Sequence, residues 1–398
     1  MTKRTFPKVY LASAAVSPPA RSVSHLTWRQ FIAQAAQAAL DRAGLSVKDV
    51  DIGAISYNER TITEGALGCV AADAIGMIPR PFVSISQACC GGGLCTDVVW
   101  NYIASGRYKA GIVLGISKPD NFDFRDAMGP IGNYTEYDYM LGFSHENYGA
   151  LRSESYKKRF GYGEEAAAAW AKQCYWYGRR NDSALRKLDP SDEELMADDT
   201  AGYRLRTATG RNLASCLILV SEEVVEERKL PRLLLDVSYR TRPPYLGNHY
   251  DYAGHEAFAD ADPATQPGLR LAAEETLARA CVTPSDIQLA QVHDLSPFEG
   301  MEALEGMGII PVGSGGKFAM EGGTGLGGRC PTNTDGGAIS YGHSSAGGDF
   351  SSKIYENYLQ LLGEAGERQV ANARVAAAQA YGSHHSMEVC SILQRENG

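Results

Sequence analysis

Two distant segments of this chain align without a gap. One runs LDRAGLSVKDVDIGAIS from Leu40, the other LARACVTPSDIQLAQVH from Leu277. Leu40/Leu277, Arg42/Arg279, Ala43/Ala280 and Asp49/Asp286 are identical, and Leu45/Val282, Val50/Ile287, Ile52/Leu289 and Ile55/Val292 exchange one apolar residue for another. Each copy follows an alanine-rich run of helical character (31–40 and 269–280), passes a polar turn and enters an apolar strand. A repeated helix–turn–strand unit points to an α/β architecture of two similar halves. A length of 398 residues is enough for two such domains or one large duplicated unit.

Between the copies the character changes. Residues 121–206 are rich in Tyr, Phe, Asp, Glu and Arg, with a helix expected over 164–180, and LASCLILVS (213–221) then returns as a buried strand. This reads as an excursion from the first half, its tyrosines either half-buried surface or part of a substrate mouth. Residues 240–266 form a second irregular stretch, a candidate lid or subunit contact.

Charge and cysteine use exclude several classes. A net charge of −9 without a long Lys/Arg run argues against a nucleic-acid partner, and no apolar run is long enough for a membrane helix. Lys3-Arg4 before the apolar 9–16 faintly imitates a signal peptide, but Pro18-Pro19 interrupt it and a buried first strand is the expectation. Nine cysteines, an odd number with no paired CxxC knuckles, suit free thiols in a reducing cytoplasm and no zinc ribbon.

The segment PFVSISQACCGGGLCTDVVWNYIASGRYKAGIVLGISK (81–118) is the most informative. A short strand at 83–86 turns into an amphipathic helix at 92–104, which stops at Ser105-Gly106 before a buried strand at 110–116. The pair Cys89-Cys90 therefore sits where strand becomes helix. There the helix dipole and free N–H groups favour a thiolate, and glycines 91–93 let a substrate approach the backbone. Two small buried hydrophobes in a tight turn fit the same pattern. Near the C-terminus, Asn333-Thr-Asp-Gly-Gly337-Ala-Ile-Ser-Tyr-Gly342-His343 flanks one histidine with glycines, and imidazole is suited to taking and returning a thiol proton. Val292-His293-Asp294-Leu295-Ser296 ends the repeated strand. Its histidine is either a site residue or one simply hydrogen-bonded to Asp294. Gly323-Thr-Gly325-Leu-Gly-Gly328 matches a dinucleotide fingerprint, but without a preceding strand or following long helix it reads as a loop.

Strand, Cys, small residues, helix, Ser-Gly, strand resembles the nucleophile region of the thiolase superfamily, especially sterol-carrier-protein-type (SCP-x) thiolases. Counting back from Ser105-Gly106, and the spacing Cys89-x-x-Gly92-x-x-Cys95, select Cys89 as nucleophile. The Asn333–His343 pattern is similar to the family loop whose histidine activates that cysteine, which assigns His343, with Gly342 in the same loop. The segment after Val292 resembles the family's His-Asp-Cys-Phe motif, where the histidine (His293 here) helps hold the thioester oxygen. Two departures stand out: Leu295 replaces the cysteine of that motif, and Ala380-Tyr381-Gly382 stands where other thiolases carry Cys-x-Gly. Glu136-Tyr-Asp-Tyr-Met-Leu-Gly-Phe-Ser-His145 and Phe160-Gly-Tyr are similar to the thiolase-type subunits of bacterial phloroglucinol acetyltransferases, which implies substrate-facing roles for His145 and Ser345. The tight loop around Ser383-His384-His385, with Gly382, is a candidate second oxyanion site.

The resemblance implies a thiolase fold, a duplicated five-layer αβαβα sandwich: residues 1–228 as the first half with a loop domain inserted at about 120–206, and 229–398 as the second. It implies acyl transfer through acyl-Cys89 with a coenzyme A thioester as substrate, no permanently bound cofactor and no metal. It also implies a homodimer joined through a first-half strand, and a small separate OB-fold, zinc-ribbon (DUF35-type) companion. A thiolase-like retro-aldolase and a catalytically idle scaffold subunit are the competing readings.

Overall fold

The computed structural model describes residues 4–18, 20–59, 61–121, 140, 142, 145–242, 264–344, 347–383 and 385–396. Its strands are β1 (Val9–Val16), β2 (Ile52–Ser56), β3 (Phe82–Ile85), β4 (Ala110–Ser117), β5 (Leu213–Ser221), β6 (Leu233–Thr241), β7 (Leu289–Gln291), β8 (Val375–Gly382) and β9 (Met387–Arg395). The helices used below are α1 (Trp28–Ala43), α2 (Gly91–Ala104), α3 (His145–Phe160), α4 (Glu164–Gly178), α5 (Pro267–Ala280), α6 (Pro297–Gly306) and α7 (Asp349–Leu362).

The repeat is explained by its local chemistry. Thr27 and Gln30 close a capping box on α1, and its apolar stripe includes Phe31, Ile32, Ala35, Ala39 and Leu40, all buried. Gly44 ends it at φ 61°. In the second copy Pro267 opens α5, and Cys281 takes the same left-handed position at φ 55°. The identical aspartates have identical work: Asp49 accepts from Ser46 N at 2.8 Å, and Asp286 from Thr283 N at 2.7 Å. Each pins the short turn that aims the chain into β2 or β7.

The strands follow one plan twice. The order is β3-β2-β4-β5-β1 in the first run and β6-β9-β8-β7 in the second. In both, the first strand is antiparallel to the last (β1/β5, β6/β9), and the strand after the central helix is antiparallel to the last and parallel to the second (β4, β8). A parallel bridge from Ala290 to Thr332 takes the place that β3 has beside β2. The two runs meet only at Tyr10↔Leu234 among the described residues.

Side-chain alternation sorts the core into three slabs. Tyr10, Ala12, Ile112 and Ile218 face α1, whereas Val9, Leu11, Val113 and Leu217 face inward onto α2 and α7. Beyond the second run of strands, Leu269, Leu277, Phe298, Met301 and Leu304 of α5 and α6 close a third slab together with α4. The layers are therefore helix, sheet, paired central helices, sheet, helix, the expected αβαβα arrangement. The expected helix at 164–180 is α4, and the 9–16 run is β1. Among the described residues no helix is long and apolar enough to cross a membrane, and all nine cysteines are free.

Candidate active site

The turn between β3 and α2 is tight. Ala88 takes φ 45°, a left-handed conformation that costs a non-glycine residue about 1–3 kcal/mol. The 3-10 turn Ala88–Cys90 places Cys89 just ahead of α2, 4% exposed. Cys90 turns inward and donates to Gln87 O at 3.1 Å. The glycines of α2 are required by packing, a reason the sequence reading did not give. A Cβ on Gly91 would lie 2.2 Å from Ser56 Oγ, one on Gly92 2.7 Å from Gly347 O, and one on Gly93 2.6 Å from a Val389 methyl. Gly382 serves the same turn, because a Cβ there would lie 2.8 Å from Cys90 Sγ.

The Asn333–His343 loop is latched to the strand end that carries His293. Asn333, at φ 51°, donates its N–H to Ala290 O and accepts from Val292 N through Oδ1 at 2.7 Å. Asp294 accepts from Ala338 N at 2.8 Å and from Trp170 Nε1 at 3.0 Å, and a Cβ on Gly337 would collide with it at 2.5 Å. Asp294 is thus a structural clasp and not the partner of His293. Gly342 sits at φ 108°, where a Cβ would meet Arg211 Cδ at 2.9 Å. His343 itself is held from both sides, donating N–H to Thr209 O at 2.7 Å and accepting from Arg211 N at 2.9 Å.

These loops converge on one sulfur. Cys89 Sγ is 3.4 Å from His343 Nε2. The ring of His293 stands edge-on to that of His343 with centroids 4.8 Å apart, and the ligating atoms of Cys89, His293 and His343 all lie within 4.8 Å of one another. One buried carboxylate, Asp349 at the start of α7, orients both rings: Oδ2 is 2.7 Å from His293 Nδ1 and Oδ1 is 3.2 Å from His343 Nδ1. Lys353 Nζ completes the cluster, 3.3 Å from Oδ2. The sequence reading missed Asp349. Its available signal was an acidic residue just after Gly347-Gly348 in the histidine's own loop.

Burial opposes every charge here, and mutual attraction outweighs it. Burial pushes the Cys89 thiol up most strongly, but the His343 imidazolium and contacts to both histidines bring it well below its ordinary value. Burial pulls His343 down, yet the thiolate and Asp349 lift it to about 10. Asp349, despite burial, is held well below the usual carboxylate range by Lys353 and the two histidines. Both shifts favour a thiolate–imidazolium pair backed by a carboxylate.

A cleft of ≈ 480 Å³ reaches this cluster at His343 and is walled by Leu295, Phe298, Glu299 and Thr209. Leu295, the position lacking the family thiol, is thus a cleft wall, and Ala380 is buried in β8. Cys89, His293 and His343 come together, and Gly342 and Gly382 support them. His145 opens α3, but its side chain, like Ser345, His384 and the 122–139 segment, lies outside the described residues. The glycine run 323–328 forms turns, as expected of a loop.

Comparison with known proteins accords with this geometry. A family model described as "Thiolase C-terminal domain-like" matches residues 251–395. An acetyl-CoA acetyltransferase of Methanothermobacter thermautotrophicus is 25% identical over 93% of this chain and 95% of its own length. Sterol carrier protein 2 of Bos taurus is 23% identical over 86% of this chain and 64% of its own. Among solved structures, the "Ltp2-ChsH2(DUF35) aldolase" superposes with a TM-score of 0.80 at 18% identity, covering 98% of both chains. With its duplicated sandwich and its cysteine and two histidines meeting at the central helices, the chain is similar to thiolases and to sterol carrier protein 2, and its residues 251–395 match the thiolase C-terminal domain.

Proposed function

We propose that the protein is an acyltransferase that carries its acyl group on Cys89 and makes or breaks a carbon–carbon bond beside a thioester or ketone. The observation that carries this is the 3.4 Å approach of Cys89 Sγ to His343 Nε2, with Asp349 behind the imidazole. The thiolate attacks the carbonyl carbon of an acyl-CoA. His343, already protonated, passes its proton to the leaving sulfur. His293, whose other nitrogen is fixed on Asp349, offers Nε2–H to the developing oxyanion. Such a donor is worth about 2.7–4 kcal/mol in comparable sites. Backbone donors near Gly382 are proposed as the second part of that hole, and His145 and Ser345 as further groups acting on the acyl acceptor.

The donor class is supported by the relative named for acetyl-CoA; no permanently bound cofactor is part of the mechanism. The free cysteines fit a cytoplasmic enzyme. The residue boundaries 1–228 and 229–398, with the insertion at about 120–206, are proposed as the domain division. β3 lies at an edge of the sheet, open to pairing with a second copy in a homodimer. A DUF35-type partner, like the one in the similar Ltp2-ChsH2(DUF35) aldolase, is proposed as a further subunit.

The retro-aldolase reading draws on Leu295 and Ala380, which leave the second thiol position empty. One measurement separates the two. Intact-protein mass after incubation with acetyl-CoA is expected to show a thioester adduct that is absent in Cys89→Ser. Turnover of a β-hydroxyacyl-CoA retained in Cys89→Ala, with no adduct in the wild-type chain, would establish the lyase instead.

A further inference from the structure

Carbon–carbon chemistry needs a group that takes a proton from the acyl acceptor, and the thiols that relatives use are replaced by Leu295 and Ala380. A second titratable cluster lies next to the first. Glu299, 1% exposed, is one helical turn beyond Leu295 on α6 and borders the same cleft as His343. Its Oε2 accepts from Ser296 N at 2.8 Å as a helix cap, and its Oε1 accepts from Tyr381 Oη at 2.6 Å. The Tyr381 ring stands edge-on to His293, 4.4 Å between centroids, and stacks on His385 at 3.6 Å. His385, fully buried, lies between two carboxylates: its Nε2 is 3.8 Å from Glu299 Oε1 and its Nδ1 is 3.0 Å from Glu388 Oε1.

A helix cap requires only Glu299 and Ser296. It does not require a buried imidazole and a second buried carboxylate in line behind it. Burying such groups is costly, and such clusters gather at functional sites. Burial lifts Glu388 to about 7, so it shares protons readily with an imidazole.

We propose that Glu299 is the base that deprotonates the carbon acceptor, with His385 and Glu388 receiving the proton behind it and Tyr381 positioning its carboxylate. The inference rests on the acyl-Cys89 reading for its second half-reaction. The C–H proton moves to Glu299. The electron pair it leaves forms the new C–C bond to the acyl carbon, the C–S bond breaks, and the Cys89 thiolate is restored. The proton then passes from Glu299 to His385 Nε2, with Nδ1–H directed at Glu388. Glu299 is the catalytic residue; Tyr381, His385 and Glu388 are positioning residues.

The test uses acetyl-CoA as both acyl donor and carbon acid in D2O, with the full chain and any partner it requires. Exchange of the methyl protons and the mass of the Cys89 adduct are read separately. Glu299→Gln is expected to slow exchange by about 10²–10⁴-fold while the adduct still forms, which also shows that the variant is folded. Glu299→Asp is expected to recover part of the exchange. His385→Gln is expected to lower the rate of exchange with the KM for acetyl-CoA unchanged. Wild-type exchange in Glu299→Gln overturns the assignment. So does loss of exchange in His145→Ala with Glu299→Gln unaffected, or an adduct without exchange in the wild-type chain. Absence of the adduct with exchange intact sinks the acyl-Cys89 reading and leaves Glu299 as the base of a lyase.

Discussion

The two central helices, α2 and α7, hold matching places in the two runs of strands, yet they bring opposite kinds of chemistry to the point where their N-termini meet. The α2 end carries Cys89, the proposed nucleophile; the α7 end carries Asp349, which is bonded to the ring nitrogens of His293 and His343. Both are anions at the positive end of a helix. The two equivalent helix ends thus hold different groups, a thiol at one and a carboxylate that bonds both imidazoles at the other. The lesson is that the second half does more than complete the fold. It places the imidazole and carboxylate that favour ionisation of the thiol of the first half.

Removing the support is the largest expected break in this pairing. Asp349→Asn leaves Lys353 buried without its carboxylate and allows the imidazoles to rotate. Breaking a buried pair from one side costs about 3–5 kcal/mol, so a thermal or urea melt is expected to show a loss of that order at neutral pH. The sign with pH follows from the folded Asp349 being held below the usual carboxylate value. Its contribution is full above the unfolded value near 3.9 and disappears as pH falls through the lower folded value. The wild-type advantage over Asp349→Asn is therefore expected to shrink towards strong acid. An advantage that stays constant down to about pH 2 would show that Asp349 is not ionised in the fold.

How much of this was legible in the sequence differs between the two helices. The α2 side was readable because its features are local: a strand, a Cys, three glycines and a helix stop lie within one short run. The duplicated plan was equally readable, since Asp49 and Asp286 are both kept by the same capping geometry. The α7 side was half hidden. His343 stood out through its flanking glycines, but Asp349 looked like any acidic residue at a helix start. Its role depends on His293 arriving from a strand far away in the chain. The adjacency of Asp294 offered His293 an alternative partner in the sequence, but neighbouring residues at a strand end point to opposite faces and the ring bonds Asp349 instead. His385 was noticed only as part of a candidate oxyanion loop, and its grouping with Glu299 and Glu388 was invisible because no spacing relates α6 to the β8–β9 turn.

A smaller perturbation touches the contact between the helices and leaves their chemistry alone. Gly92 allows α2 to approach Gly347 O and Ser351 Oγ, which a Cβ would meet at 2.7 and 2.9 Å. Gly92→Ala is expected to wedge the two N-termini apart and to cost about 1–3 kcal/mol of stability as an overpacked core site. Gly106, at φ 76° with open space around it, is the control. Gly106→Ala is expected to cost about 1 kcal/mol through backbone conformation and to leave acylation of Cys89 unchanged, whereas Gly92→Ala slows it. Equal acylation rates in the two variants would mean that helix contact does not set the position of the sulfur.

The finest test asks which helix ionises Cys89. A free thiol reacts with iodoacetamide faster as pH rises towards its ordinary value of about 8.5. Cys89 lies well below that value and His343 is raised to about 10, so its alkylation, followed by peptide mass, is expected to vary by no more than about twofold between roughly pH 7 and pH 9. The end of α2 and the imidazolium both contribute to that flat profile, and Asp349→Asn distinguishes them. If α2 alone holds the thiolate, the profile stays flat in the variant. If α7 acts through His343, the loss of Asp349 lowers the imidazole, the thiolate loses its counter-ion, and the rate climbs with pH across the same window. The geometry requires the second outcome, because the sulfur is buried and a helix end is worth only about 0.3–1 kcal/mol at most sites, too little to offset burial of a charge.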